Sequence, residues 1–361
     1  MTEYYHPRYS NVRKPRQKKG RYIFWIILLL LLLSGIAGWW IYRAVFSDNV
    51  YTGSETEVFI TIPTGSNYED VKEILYTKGL ISDRYSFELI ARLKKYSQSV
   101  KPGRYRLTGD MGNLELLRIL ASGLQTPVKV IFNNIRTPDQ LAGRISQQIE
   151  ADSASLIRLL TDSSFLDSLG VTPATVFTIM IPNTYEFYWN TSPETFIGRL
   201  KRESEKFWEG KREEQLSVIN MSRHEVITLA SIVEKETNKN DEKARLAGVY
   251  VNRLKNGWLL EADPTLVFAH GDFGIRRVLS IHKEIESPYN TYRNKGLPPG
   301  PICLPSIASI DAVLNYENHD YMFFCAREDF SGYHSFARTL EQHNLNAWKY
   351  RQALNQRRIY R

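Results

Sequence analysis

Residues Leu229 to Leu254 read LASIVEKETNKNDEKARLAGVYVNRL, and the way this run divides into two helices decides the fold of the larger part of the chain. Val226, Ile227, Leu229, Ala230, Ile232 and Val233 recur at helical spacing, which predicts a helix from near Ser222 that buries one broad stripe. Ser222 with Glu225 three residues on supplies a capping-box start. The polar turn Asn238 to Asp241 breaks the pattern. Ala244, Ala247, Val251 and Leu254 then rebuild it at spacings of three and four, predicting a second helix that Gly257 ends.

Two glutamates stand near the end of the first helix. At about 100° per residue, Glu236 falls between Leu229, Ile232 and Val233, whereas Glu234 falls near Ile227 and Ala230, so only one can face a given cleft. A carboxylate held against aliphatic side chains loses hydration, and its pKa rises toward the value a general acid needs near neutrality. Either glutamate satisfies that argument. Both equally fit a solvated flank salt-bridged to Lys235 or Lys239, so the helical pattern alone leaves the choice open.

Further blocks follow in order: NRL at Asn252 to Leu254, ADPT at Ala262 to Thr265, SPYNTY at Ser287 to Tyr292, GLPPGPI at Gly296 to Ile302 and HSF at His334 to Phe336. Together with ASIVEKET this ordered set resembles the catalytic domain of the YceG-like endolytic murein transglycosylases. The resemblance covers about residues 56–350, weakly in its first third. It implies that the second glutamate of the EKE triplet, Glu236, is the catalytic acid. It further implies a lyase that cuts the bond between N-acetylmuramic acid and N-acetylglucosamine within nascent peptidoglycan strands. Glu236 would protonate the bridging oxygen and then accept the proton of the muramic acid C6 hydroxyl as that group closes on C1. The product is a 1,6-anhydro end, and strand growth stops there. Peptidoglycan glycan strands, the membrane and enzymes of peptidoglycan synthesis are the implied partners, with no cofactor and no metal.

Two rivals stay open. A hydrolytic muramidase would use Glu234, Glu186 or Asp263 as a second carboxylate, since glycosidases commonly use two. A membrane-anchored wall-binding protein would need no chemistry at all.

Candidate substrate-binding residues come from three places. PNTYEFYW, Pro182 to Trp189, corresponds to the family's Pro-x-Thr-aromatic block. Sugar rings present flat apolar faces, so Tyr185 and Tyr188 suit a saccharide groove, although such a cluster also fits a core. Asp263 and Thr265 flank Pro264 as cleft residues or as an ordinary turn start. Asn290 and Tyr292 offer amide and phenol groups of the kind that bind N-acetyl groups and hydroxyls, in a loop stiffened by Pro298, Pro299, Pro301 and Pro305. Family members carry a glycine-containing turn after the strand Val128 to Phe132. Asn133, Asn134 and Ile135 stand there instead, which leaves that loop's shape open.

The formal charge of +8 suggests nucleic acid only at first sight. Met1 to Arg21 holds seven basic residues against Glu3, a net +6, which leaves about +2 for the remainder and no case for a nucleic-acid partner. Tyr22 to Tyr42 carries no charge over 21 positions, including six leucines from Leu28 to Leu33. Such a run makes a helix of about 30 Å, enough to cross a bilayer. Trp25 at one end and Trp39, Trp40 and Tyr42 at the other supply interfacial aromatics. The preceding basic residues place the amino terminus in the cytoplasm, so the body lies on the periplasmic side of the inner membrane.

The expected organisation is α+β: a basic cytoplasmic tail at 1–21, a transmembrane helix at 22–42, a tether at 43–55, a LysM-like module at 56–125 and a mixed catalytic domain with a saccharide cleft at 126–361. In the module, Val58 to Ile62 reads as a strand and Ser66 with Glu69 as a capping box. Gly103 to Leu107 can form a strand, and Asn113 to Leu120 a helix closed by Gly123. Ser153 to Leu169 fits an inserted helical hairpin. The seven histidines show no metal-ligand spacing, and His224 in HEVIT lacks the second histidine of a zinc-protease helix. Cys303 and Cys325 could pair outside the cytoplasm, but each also sits in an apolar context that suits a buried thiol.

Overall fold

The structure, a computed structural model, describes residues 1–3 and 19–357, so most of the basic tail expected at 1–21 lies outside the described residues. The chain divides into two compact units, Met1–Gln125 and Thr126–Arg361.

The smaller unit begins with α1 (Lys19–Phe46), one helix long and apolar enough to cross a membrane by length and composition. There follow β1 (Glu57–Ile62), α2 (Tyr68–Thr77), α3 (Arg84–Leu93), β2 (Gly103–Thr108) and α4 (Asn113–Ser122). β1 and β2 pair antiparallel with Ile60 opposite Tyr105, which turns Ile60, Ile62, Tyr105 and Leu107 inward. Two strands alone are marginal in water; here Val71 and Leu75 of α2, Phe87 of α3 and Leu116 of α4 close the core over them. Gly123 ends α4 in the left-handed conformation, at φ +72°.

Two local expectations are corrected. The capping box of α2 is built by Asn67 and Asp70, one residue beyond Ser66 and Glu69, because the Ser66 N–H is spent on the Pro63 carbonyl in the preceding turn. Residues 43–55 do not form a free tether. α1 runs on to Phe46, Asp48 bridges to Gly112 and Val50 to Ile81. The buried Asn113 side chain donates to the Ala44 carbonyl at 2.9 Å and receives Asn49 Nδ2 at 2.7 Å. Backbone groups in that segment thus find partners in the unit instead of water.

The larger unit comprises β3 (Val128–Ile131), α5 (Pro138–Ser146), α6 (Ser153–Thr161), α7 (Ser163–Ser168), β4 (Thr184–Phe187), α8 (Pro193–Trp208) and α9 (Lys211–Ile219). α10 (Arg223–Glu236), α11 (Asn240–Lys255), α12 (Asp263–His270) and α13 (Ile307–Leu314) follow, then β5 (Phe323–Ala326), β6 (His334–Ala337) and α14 (Leu340–Gln356). β3–β4 and β5–β6 are antiparallel pairs, so this unit too is mixed α and β. One core gathers β3, β4 and α5 to α8; a second surrounds α10. The proline-rich loop joins them, with Leu304 in the first core and Ile302 in the second. At Gly300 in that loop a β-carbon would collide with the Ala174 carbonyl oxygen, so only glycine lets the two backbones approach.

Because Asn113 is buried and joins three segments, Asn113→Ala should destabilise the full chain by about 1–3 kcal/mol through the polar groups it strands. Denaturant titration in detergent micelles measures this, and an unchanged midpoint would count against the docking of α1 described here.

Candidate active site

α10 is buried more completely than a single stripe would be. Every side chain from Val226 to Val233 is covered, because α11, α12 and α13 pack around it. The Ser222–Glu225 capping box fixes its start, with Glu225 Oε2 accepting the Ser222 N–H at 2.8 Å. Its end is where the chain meets solvent again, and there stand Glu234, Lys235 and Glu236.

The two glutamates meet opposite surroundings. Glu234 Oε2 accepts from Lys243 Nζ at 3.0 Å, from Ser306 Oγ at 2.6 Å and from Ser309 Oγ. Burial pushes its pKa up, but these donors together outweigh that effect and hold the carboxyl below its ordinary range. Glu234 is therefore an ionised brace between α10, α11 and α13. Glu236 receives one neutral donor, the Tyr250 hydroxyl, at 2.7 Å from Oε1. Burial raises its pKa to about 7; the Tyr250 hydrogen bond and the Arg253 charge oppose that rise, and the Asp263 charge adds to it. The position is also the last of α10, where the negative end of the helix dipole disfavours a carboxylate. Its side chain is half-buried, deep among protein atoms yet open toward the pocket beside it.

That pocket has a volume of about 250 Å³. Glu236 and Asp263 supply its acidic side; Arg136, Lys235 and Arg276 bring positive charge; Val267, Phe268, Phe273 and Ile275 give it apolar walls. Arg136 lies over the Phe273 ring at 4.7 Å. Lys235 Nζ donates to Asn134 Oδ1 at 2.6 Å, and Asn134 adopts φ +53°. In the turn where a glycine is expected, asparagine thus supplies the left-handed residue, which it tolerates better than most.

Sequence-predicted residues divide between the pocket and its scaffold. Asp263 lines the pocket and accepts the Tyr292 hydroxyl at 2.6 Å. Asn290 is fully buried: its amide donates to the Lys283 and Ile285 carbonyls, each at 2.9 Å, and its oxygen accepts the Tyr292 N–H at 3.0 Å. Thr265 is equally buried, 2.8 Å from Thr291, whose hydroxyl also accepts the Ala262 N–H at 3.0 Å. The ADPT and SPYNTY blocks therefore pin each other and so aim Asp263. Tyr185 lies in the core, stacked on Phe132 at 5.7 Å, with its hydroxyl donating to the Ile181 carbonyl at 2.6 Å. Alternation along β4 turns Tyr185 and Phe187 inward and Glu186 outward, and the exposed Tyr188 beyond it lines no part of this pocket. Cys303 and Cys325 are free thiols.

The sequence reading missed Tyr250 and the pocket wall from Phe273 to Val278. A tyrosine on the apolar face of α11 was the one available signal, since a buried phenol needs a partner for its hydroxyl. The wall belongs to a loop without motif or periodicity. Asn252 and Arg253 of the NRL block are stitches: Asn252 donates to the His319 carbonyl at 2.7 Å, and Arg253 to those of Met322 at 2.8 Å and Leu260 at 2.7 Å.

A carboxyl raised to about 7 beside an open, mixed polar and apolar pocket has the properties that a general acid–base group needs. The sequence profile of the YceG-like family matches residues 60–349, and the chain belongs to that family. It is 30% identical to an endolytic murein transglycosylase of Bacillus subtilis strain 168, covering 89% of this chain and 92% of that one. Similarity to an endolytic murein transglycosylase of Streptococcus pneumoniae D39 is 26% identity, over 91% of this chain and 64% of that one. A crystal structure of a YceG-like protein from Listeria monocytogenes superposes with a TM-score of 0.55 at 29% identity, covering 81% of this chain and 99% of that one.

The raised pKa has a sign that stability measurements can read. Folding favours protonated Glu236, so that contribution is complete below the unfolded carboxyl's ordinary value and is lost as pH climbs through about 7. Glu236→Gln, which cannot ionise, should gain on the wild type by on the order of 3 kcal/mol between pH 4 and pH 8. Equal denaturant midpoints for the two proteins at both pH values would contradict the raised pKa.

Proposed function

We propose that this chain is an endolytic lytic transglycosylase, a lyase that cleaves the bond between N-acetylmuramic acid and N-acetylglucosamine within peptidoglycan strands. The observation that carries the reading is the contrast between Glu234 and Glu236: donors hold one carboxyl below its ordinary range, while burial raises the other to about 7 at the pocket. Protonated Glu236 donates to the glycosidic oxygen. As a carboxylate it then takes the proton of the C6 hydroxyl, which closes on C1 and gives the 1,6-anhydro end without consuming water. Tyr250 steadies the carboxylate in the second half of the cycle. Asp263, 2.6 Å from the Tyr292 hydroxyl, faces the positive charge that builds at C1.

The rest of the molecule fits work at a membrane surface. α1 is read as a single span with the amino terminus in the cytoplasm, and the two folded units as extracytoplasmic. In that position the pocket lies near newly made strands and the enzymes that extend them, and cutting there ends growth. The smaller unit is read as a LysM-like glycan-contacting module, supported by the order β1, α2, α3, β2 and its antiparallel pair. Hydrolysis is the second reading, and of the carboxylates it could recruit, only Asp263 lines the pocket with Glu236.

Glu236→Gln should lower cleavage of intact peptidoglycan by roughly 10³-fold with folding retained. Mass spectrometry of wild-type products should give anhydro ends, and reducing ends instead would establish hydrolysis. Tyr250→Phe removes a bond that favours the carboxylate, so the alkaline limb of the pH–rate profile should move to higher pH. Asp263→Asn removes a repelling charge and should move that limb to lower pH; identical profiles would refute the electrostatic coupling.

A further inference from the structure

Within the smaller unit, α1 and α3 enclose an apolar groove of about 490 Å³, walled by Leu33, Ile36 and Trp40 on one helix and by Leu89, Ile90 and Leu93 on the other. Several contacts hold the two helices in place. Asn113 binds the Ala44 carbonyl, Val50 bridges to Ile81 just before α3, and the Tyr85 ring lies 6.0 Å from Trp40.

Depth along α1 says what fills the groove. Leu33 stands ten residues before Arg43, about 15 Å along the helix axis, in the middle of the charge-free run. A span seated in a bilayer puts that residue near the centre of a hydrocarbon layer about 30 Å thick. Leu89 and Leu93 share the groove with it and so lie on the lipid side of the boundary. Phe87, Ile90 and Ala91 of α3 are buried in the unit's core, yet Tyr85 and Leu93 are 70% and 68% exposed. Exposed Arg92, Lys94 and Lys95 stand next to Leu93 at the end of α3. Their long stems reach along apolar surface while their charges meet headgroup phosphates.

We propose that acyl chains of the surrounding leaflet fill this groove, so that α3 is sunk into the membrane beside α1 and the smaller unit rests on the bilayer. The proposal builds on the reading of α1 as a span. It replaces a flexible leash with a fixed seat: the anchor sets the height of the smaller unit above the lipid as well as its attachment to it.

Nitroxide labels on the full chain in phosphatidylcholine–phosphatidylglycerol vesicles test this. Cys325→Ser removes the accessible thiol, while buried Cys303, its thiol pushed up to about 12, stays unlabelled. Labels go on Leu93→Cys for the groove, Leu30→Cys for the span and Ser217→Cys on exposed α9 for water. Collision rates with oxygen and with a water-soluble nickel chelate are then compared. Labels at 93 and 30 should both meet oxygen and be protected from nickel at least fivefold relative to 217. A label at 93 as open to nickel as that at 217, with 30 protected, overturns the groove proposal and leaves the anchor standing. Shielding of 93 from both reagents would mean that protein covers the groove, which also overturns it. If 30 itself is open to nickel, the span and the groove proposal fail together.

Discussion

A carboxyl group that must hold its proton near neutral pH has to be kept from water without being handed a cation, and that constraint shapes the larger unit. Glu234 and Glu236 stand two residues apart on one helix. Lys243 and two serine hydroxyls are committed to Glu234, which becomes an anion and a brace. Glu236 is given only the Tyr250 hydroxyl, a donor strong enough to orient the carboxyl and too weak to cancel its desolvation. Exchanging those partners would leave the pocket with an ordinary ionised side chain.

Holding Glu236 in that state requires α10 to be wrapped on all sides up to its last turn. α11 supplies Tyr250 and Lys243, α13 supplies Ser309, and the loop before α13 is tied to α10 where the Ile302 N–H donates to Ser231 Oγ at 2.9 Å. Motif blocks that look catalytic in sequence therefore serve mainly as fasteners. The paired threonines and the buried Asn290 lock the start of α12, and the pocket receives Asp263 from it. His334 belongs to the same framework: its ring lies 2.7 Å from buried Glu242, which also accepts from Thr237 directly after Glu236.

Much of the fold could be read from local signals. Periodicity and end signals located α10, α11 and α4, and short apolar runs located β1 and β2, since these cues act over one or two turns of chain. Where competing partners lay nearby, the reading slipped: Ser66 lost the cap to Asn67 because a turn had already taken its N–H. α13 and α14 start at side-chain caps, Ser306 and Thr339, and neither helix is among the sequence expectations, because a lone Ser or Thr cap is common outside helices as well. Tyr185 shows the limit for side chains. An aromatic block suits a sugar groove or a core equally, and the pairing of β4 with β3 turned this ring inward.

By itself the sequence determined the charge-free span and the amphipathic helices, because each rests on residue type and spacing along the chain, whereas Glu236 was pointed to only through the family resemblance that its ordered blocks carry. It could not say why Glu236 and not Glu234 holds a proton, that Tyr250 is its partner, or that residues 43–55 are built into the smaller unit. Those outcomes depend on atoms brought together from distant positions. Desolvation and hydrogen bonding act over a few ångströms in space, and only the packed tertiary structure decides which groups come that close.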